Sequence, residues 1–401
     1  MLSIIGGIYR EKCLRPRWDN VYGSAGRAAS AIARLGGQVE LHGYMDAELE
    51  QLMKARAIED GFSLLTTELP RSAIFSYTHG LAVPQYYQPE RQSDLYLQSE
   101  NVLRFGMIEG TAVVDADYAV FDPQNVGRPE AFADNGSKAK HLALVLNSYE
   151  ALQILGERDL QVEEITRRLA EEQGAEVVVL KLGPKGALVC YEGTHHRISA
   201  FSTEHVWKIG SGDQFAANFA YAWIEQQRHP FDAAERASKA AAYYAEYRDF
   251  PTPKALDDYA PLALTVSDSY LAGRIPTVYL AGPFFTLGEL WVIEQARNCL
   301  LDMGMRVFSP YHDVGSGPAE QVVHQDIRGI HESDLVLAIG DGLDSGTIFE
   351  IGYARARQIP VVFYAENVSQ EDRKMMQGTD CFLCDDFVSA IYRTVWVAIN
   401  L

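Results

Sequence analysis

The 401 residues predict an α/β protein, and three observations lead to that class. Apolar strand-like runs alternate with helical patterns through roughly the first 250 residues, the rhythm of an α/β sheet. Prolines then punctuate a stretch of weak periodicity, Asp249-Phe-Pro-Thr-Pro-Lys254 through Gly273-Arg-Ile-Pro276. Beyond it, strand-turn-helix units return, with carboxylates in the turns and first helical turns. The length exceeds what one hydrophobic core serves, so the expected organisation is a domain over 1–250, a linker over 251–275 and a domain over 276–401.

In the first part the pattern reads as helix over 24–35, strands over 113–121 and 143–146, helix over 163–172, strand over 177–182, and helices after Gly212. Ile209-Gly-Ser-Gly-Asp213 precedes an amphipathic helix over 215–224, so the amides after Gly210 and Gly212 line a helix start suited to an anion. Asp213 stands where a carboxylate can take a proton from an attacking hydroxyl. Asn147-Ser-Tyr-Glu150 and Lys181-Leu-Gly-Pro-Lys-Gly186 follow strands, as phosphate-binding loops do, which marks Asn147, Glu150, Lys181, Gly183 and Gly186. His79, in Phe75-Ser-Tyr-Thr-His-Gly80, reads either as a lid residue touching substrate or, the commoner case, as an exposed hairpin histidine. The linker is too apolar around Tyr259-Ala-Pro-Leu-Ala-Leu264 for a solvated tether.

In the second part a strand ends in a Gly-Pro-aromatic turn, Val278-Tyr-Leu-Ala-Gly-Pro-Phe-Phe285, and a helical pattern follows around Leu290, Ile293, Ala296 and Leu300. A further helical segment carries Asp326. The buried-strand pattern Asp334-Leu-Val-Leu-Ala-Ile339 then leads into Asp344-Ser-Gly-Thr-Ile-Phe-Glu350. Asp344 or Ser345 caps the helix that opens there, Gly346 lets a ligand approach the backbone, and Glu350 falls about one and a half turns in. A parallel sheet presents an acid at the carboxyl ends of its strands in this way. The plainer reading of each residue is structural: a cap for Asp344, packing for Tyr279, core for Phe284 and Phe285.

Tyr279, Gly282, Asp326, Asp344 and Glu350, in that order and spacing, resemble the nucleoside 2-deoxyribosyltransferase family and its nucleotide N-glycosidase relatives over roughly 276–370. The resemblance implies a smaller Rossmann- or flavodoxin-like parallel-sheet domain that breaks a C1′–N bond. Glu350 matches the nucleophile that traps an oxocarbenium-like sugar. Asp344 matches the residue serving the sugar or the nucleophile, and Asp326 the group facing the base. Tyr279 would orient Glu350, with Gly282, Phe284, Phe285, Ser345 and Gly346 around the substrate. No cofactor is implied for this domain, and a homo-oligomer is, because relatives complete their pockets from a neighbouring subunit.

Together with Gly23-Ser-Ala-Gly-Arg-Ala-Ala and Arg34-Leu-Gly-Gly, the motifs of the first part resemble the ribokinase-like PfkB carbohydrate and nucleoside kinase family over roughly 1–250. That resemblance implies Asp213 as catalytic base, Gly210 and Gly212 as anion hole, Asn147 with Glu150 near Mg and phosphate, and ATP with Mg as cofactors. Three positions depart from it. Ile8-Tyr-Arg-Glu11 replaces the sugar-binding Asp, Arg27 the Asn of Gly-Gly-x-x-x-Asn, and Trp207-Lys-Ile the Asp-Thr before the glycine turn. Polar groups that grip a plain sugar are thereby lost. Either the substrate differs, carrying a phosphate for Arg27, or the fold survives as a scaffold.

The net charge of −19 is shared by both parts: from 276 onward 8 Lys and Arg face 17 Asp and Glu, net −9, which leaves −10 before it. Neither carries the basic footprint of nucleic-acid binding, so small nucleosides or nucleotides are the expected partners, with no polymeric nucleic acid. No apolar run reaches the ~18 residues of a membrane span, and no basic-then-apolar leader opens the chain, so a cytoplasmic protein is expected. Five scattered cysteines argue against a disulfide framework. Cys381-Phe-Leu-Cys384 lacks a second pair of ligands and is read as structural, so no metal centre is expected.

The expected function is cleavage or transfer of an N-glycosidic bond by Glu350, beside a ribokinase-like domain that binds, and in one reading phosphorylates, a sugar or nucleoside. The competing readings are a catalytically degenerate nucleotide sensor or assembly protein, and a kinase with an accessory nucleotide-binding domain.

Overall fold

Strands Leu2–Ile5 and Leu95–Phe105 lie side by side at the centre of the larger sheet, and the strand order reverses between them. The computed structural model describes residues 1–401, which separate into two units. One holds Met1–Thr203 and Trp207–Ala263, the other Glu204–Val206 and Leu264–Leu401.

The nine strands of the first unit run, edge to edge, Thr194–Ile198, Ala187–Tyr191, Val177–Lys181, Lys138–Asn147, Ala112–Asp122, Leu95–Phe105, Leu2–Ile5, Val39–Met45 and Ser63–Glu68. All neighbours are parallel except the two pairings made by Ala187–Tyr191. Val177–Lys181 is a continuous apolar run as far as Leu180, and Leu2–Ile5 is interrupted only by Ser3, because both faces are covered, with separate apolar clusters on the two sides. Helix Gly23–Arg34 is small and Ala-rich, which lets it pack closely against helix Ser211–Ala220. A second sheet of four short strands, Trp18–Val21, Arg10–Arg15, Ile74–His79 and Gln85–Tyr87, carries Glu11, Phe75 and Tyr77. The crevice outside the carboxyl ends of Leu2–Ile5 and Leu95–Phe105 is where an open parallel sheet binds ligands.

Pattern reading located Ala112–Asp122, Lys138–Asn147 and Val177–Lys181 but gave no strand for Leu2–Ile5, Val39–Met45, Ala187–Tyr191 or Leu95–Phe105, the last of which alternates polar and apolar residues in its first half. The helix expected over 215–224 begins at Ser211 and ends in a π turn over Tyr221–Glu225. His79 is buried, contrary to the exposed histidine expected, because the strand that carries it pairs with Arg10–Arg15.

The second unit has five parallel strands in the order Arg306–Phe308, Thr277–Ala281, Leu335–Ile339, Val361–Tyr364 and Phe382–Cys384. By position along the chain this is 2-1-3-4-5, the flavodoxin-like order, with its switch point between Thr277–Ala281 and Leu335–Ile339. Thr286 and Glu289 form a capping box at helix Leu287–Asp302, and Asp344 caps helix Ser345–Ala356. Cys381 and Cys384 are buried and unbridged, and no helix is long and apolar enough to cross a membrane.

Candidate functional site

At the switch point of the second unit the Tyr279 hydroxyl donates to Glu350 Oε1 at 2.6 Å. Tyr279 is fully buried in the first strand of the unit and stacks on Phe308 at 5.5 Å between centroids. Burial and this stacking hold the ring that carries the hydroxyl. Glu350 is half-buried, and burial pushes its carboxyl up to about 7; Asp326 and Asp344 push the same way, while the Tyr279 hydrogen bond pulls it down. Burial also raises Asp326, one of whose carboxyl oxygens is buried without a hydrogen bond. Asp326 sits on helix Ala319–Glu332, which packs against both Thr277–Ala281 and Ser345–Ala356. The charges acting on Glu350 and Tyr279 are all carboxylates.

Asp344 Oδ2 accepts from the Thr347 amide at 2.9 Å and from the Thr347 hydroxyl at 3.0 Å. It is a helix cap and an electrostatic neighbour of Glu350 at once. Ser345 and Gly346 lie exposed in the first turn, where a ligand can reach their backbone. Gly282 answers a packing demand, since a Cβ there would lie 2.8 Å from Ile293 Cδ1 and 2.9 Å from Ile339 Cβ. Phe284 and Phe285 pack on each other, and Phe284 also on Tyr311. Phe285 is 73% exposed, so its role is not that of a core residue. Sequence reasoning missed Phe308 and Tyr311, because an aromatic at a strand end carries no periodic signal.

In the first unit the residues marked by the sequence converge around Asp213, in a form the motifs did not foretell. Arg27 is fully buried. Its Nη1 donates to Asp213 Oδ2 at 2.6 Å, its Nη2 to Glu11, and its Nε to the Tyr244 hydroxyl at 3.1 Å. Asp213 Oδ1 accepts from Gln124 Nε2 at 2.8 Å. Burial raises Glu11, although Arg27 draws it down. The guanidinium is thus occupied by two carboxylates of its own chain, which leaves it no role as a phosphate ligand. Glu11 and Arg27 both depart from the kinase pattern, and two departures of opposite charge were the signal that could have paired them.

Gly210 takes φ +80°, and a Cβ there would lie 2.1 Å from Arg27 Nε, so this turn rests directly on the guanidinium. A Cβ on Gly212 would meet only Lys181 Nζ, at 3.7 Å. Lys181 donates to Asp122 Oδ2 at 2.6 Å; burial pushes Asp122 up to about 7 against that pull. Burial, then Lys181, lowers the nearby Lys208. Asn147 and Glu150 form a reciprocal capping box on helix Ser148–Leu155. Gly183 starts a 3-10 turn, and Gly186 packs against the backbone of Ile198, so neither is brought to Asp213. Lys181, Lys208 and the amides after Gly210 suit the phosphates of a nucleotide, and Glu150 with the unpartnered Asp122 Oδ1 suits an accompanying divalent ion.

Residues 278–383 match the family model described as nucleoside 2-deoxyribosyltransferase, and residues 134–252 the model described as pfkB family carbohydrate kinase. The two segments follow each other in the order the motifs gave. Similar solved structures include a fructokinase from Vibrio cholerae O395 bound to fructose, ADP and calcium, 16% identical, covering 64% of this chain and 97% of that one at a TM-score of 0.49. A nucleoside kinase from Burkholderia thailandensis in complex with inosine is 19% identical and covers 65% of this chain and 100% of that one, TM-score 0.49. No curated protein matches the chain.

Proposed function

We propose that the second unit cleaves or transfers the N-glycosidic bond of a nucleoside, with Glu350 as nucleophile. The observation that carries this reading is the Tyr279–Glu350 hydrogen bond at 2.6 Å, with Asp326 and Asp344 the charges acting on that carboxyl. A carboxylate whose affinity for a proton is raised by burial is a stronger nucleophile once ionised, and one hydroxyl donor holds it in a single orientation. A Glu350 oxygen forms a bond to C1′ as the C1′–N bond breaks. Asp326, kept protonated more readily by burial, gives its proton to the leaving base. Water or a second base then attacks C1′, losing its proton to the now ionised Asp326, as the C1′–O bond to Glu350 breaks and frees the carboxylate.

The charge distribution favours a nucleoside over its 5′-phosphate. Three carboxylates act here without a cation among them, and Asp344 already occupies the Thr347 amide at the helix start. A phosphate would meet repulsion where an anion site would offer free amides. The exposed Phe285 and Phe349 fit the homo-oligomer that the motifs imply, with a second copy completing the pocket.

The first unit, in this reading, holds a nucleoside, nucleotide or sugar. The deciding experiment incubates the purified protein with nucleosides, nucleotides and dinucleotide cofactors, with and without ATP-Mg, and identifies products by mass. Free base released from nucleosides, and lost in Glu350→Gln, supports the proposal. No base release from any member of the panel refutes it.

A further inference from the structure

In the first unit, a cavity of about 200 Å3 opens beside Asp213, lined by Tyr9, Phe75, Tyr77, Ile108, Gln124 and Glu150 among others. It sits at the switch point of the larger sheet, since Gly106 and Met107 of its lining follow strand Leu95–Phe105. Gly106 is required there, because a Cβ would lie 2.1 Å from the carbonyl oxygen of Gln124. The volume is below the ~300–1,000 Å3 usual for drug-sized ligands and suits a ligand no larger than a nucleoside. Its walls are aromatic: Tyr9 and Phe75 lie 4.5 Å apart between centroids, and Phe75 stacks on Tyr86 at 5.6 Å. Ser24, Gln124 and Glu150 add a hydroxyl, an amide and a carboxylate at the edge. A flat base meets aromatic faces, and its hydroxylated sugar meets polar groups.

Beside this intact pocket, the carboxylate that would serve as base is already committed. Both Asp213 oxygens accept hydrogen bonds from the protein, one from Arg27 and one from Gln124. A proton taken from a substrate hydroxyl would neutralise Asp213, one of the two carboxylates that compensate a wholly buried guanidinium, so the Arg27 ion pair opposes that step. The glycine turn is packed onto the same guanidinium, so Arg27 is also fixed from behind. We infer that Arg27 locks Asp213, and that the first unit is a nucleoside-binding module that releases its ligand unphosphorylated.

The test uses the full chain carrying Glu350→Gln, so that bound nucleosides are not consumed. Adenosine, inosine, cytidine, thymidine and free ribose are titrated by calorimetry, and deuterium exchange with each probe locates the bound site. Phosphoryl transfer from labelled ATP-Mg to the same compounds is followed in parallel. The expected result is a nucleoside that protects the segments around Phe75–Tyr77 and Gly106–Ile108, binds on the order of tenfold more weakly in Tyr77→Ala, and acquires no label. Ribose should show no such protection. Labelled nucleoside that disappears in Asp213→Asn overturns the lock. Absence of protection by every nucleoside, or equal protection by ribose, overturns the ligand class. Base release is measured separately on the chain with Glu350 intact, so failure here stays distinct from failure of the glycosidic reading.

Discussion

The Tyr279 hydroxyl and Glu350 Oε1 stand 2.6 Å apart, joining a buried strand residue to a half-buried helix residue 71 positions later. The two pull the carboxyl in opposite directions: its surroundings favour the protonated form, whereas Tyr279 favours the anion. A group balanced in this way ionises close to neutrality while keeping one fixed orientation.

Replacing Glu350 with Gln keeps the shape and removes the nucleophile. Base release should fall by on the order of 10³ or more, with the fold unchanged by circular dichroism. Wild-type release by the Gln variant would remove Glu350 from the mechanism.

The pH dependence follows from the same pair. Because the Glu350 carboxyl is held up to about 7 and only its anion attacks, activity should rise as pH increases through about 7. Tyr279→Phe deletes a donor that stabilises the anion, so the acid limb should move upward. A hydrogen bond to a charged group is worth about 1.5–3 kcal/mol, which corresponds to roughly one to two pH units. An unchanged limb in pH–rate profiles of free and variant enzyme would assign the ionisation elsewhere.

Substrate choice offers a further check, because the charges acting on Glu350 are all acidic. A 2′-deoxynucleoside should be cleaved at least about tenfold more efficiently than its 5′-monophosphate at low salt, and the gap should narrow as salt screens the carboxylates. Preference for the monophosphate in kcat/KM would point to a cation supplied from outside this unit.

Much of this architecture was legible in the sequence. Val177–Lys181, apolar as far as Leu180, and Leu335–Ile339 declare themselves as continuous apolar runs because parallel strands are buried on both faces. Asp344 announces its helix through its capping chemistry, and Glu350 its proximity through helical spacing. Hidden from one-dimensional reading were contacts that span long separations. Arg27 meets Asp213 across 186 positions and Tyr244 across 217, and nothing local marks such partners. Short edge strands such as Gln85–Tyr87 escaped because three exposed residues carry no period. Asn147 and Glu150 looked like ligands, yet their spacing of three is also that of the capping box they form.

The Arg27 network yields a stability prediction. Arg27→Met leaves Glu11 and Asp213 buried without their shared guanidinium, and breaking a buried pair costs about 3–5 kcal/mol. Arg27→Met/Glu11→Leu should recover a large part, since it removes one stranded carboxylate as well. Urea unfolding monitored at pH 7 reads both; a single variant within about 1 kcal/mol of wild type would show the network to be energetically neutral.

Glu109 supplies a pH-dependent term. It is 1% exposed, and burial pushes it up to about 7, with the amides of Ile108 and Glu109 countering only in part. An unfolded Glu titrates near 4.3, so between about pH 4.5 and 7 the folded chain binds more protons than the unfolded one. Stability from this group is therefore greatest at low pH, declines as pH rises through that window, and is constant above it. The span is about 2.5 pH units, or roughly 3 kcal/mol. Glu109→Gln removes the titration, so its advantage over wild type should grow from near zero or below at pH 4.5 to a plateau above pH 7. Urea midpoints at half-unit intervals measure that difference directly, and a difference independent of pH would mean that Glu109 ionises alike in both states.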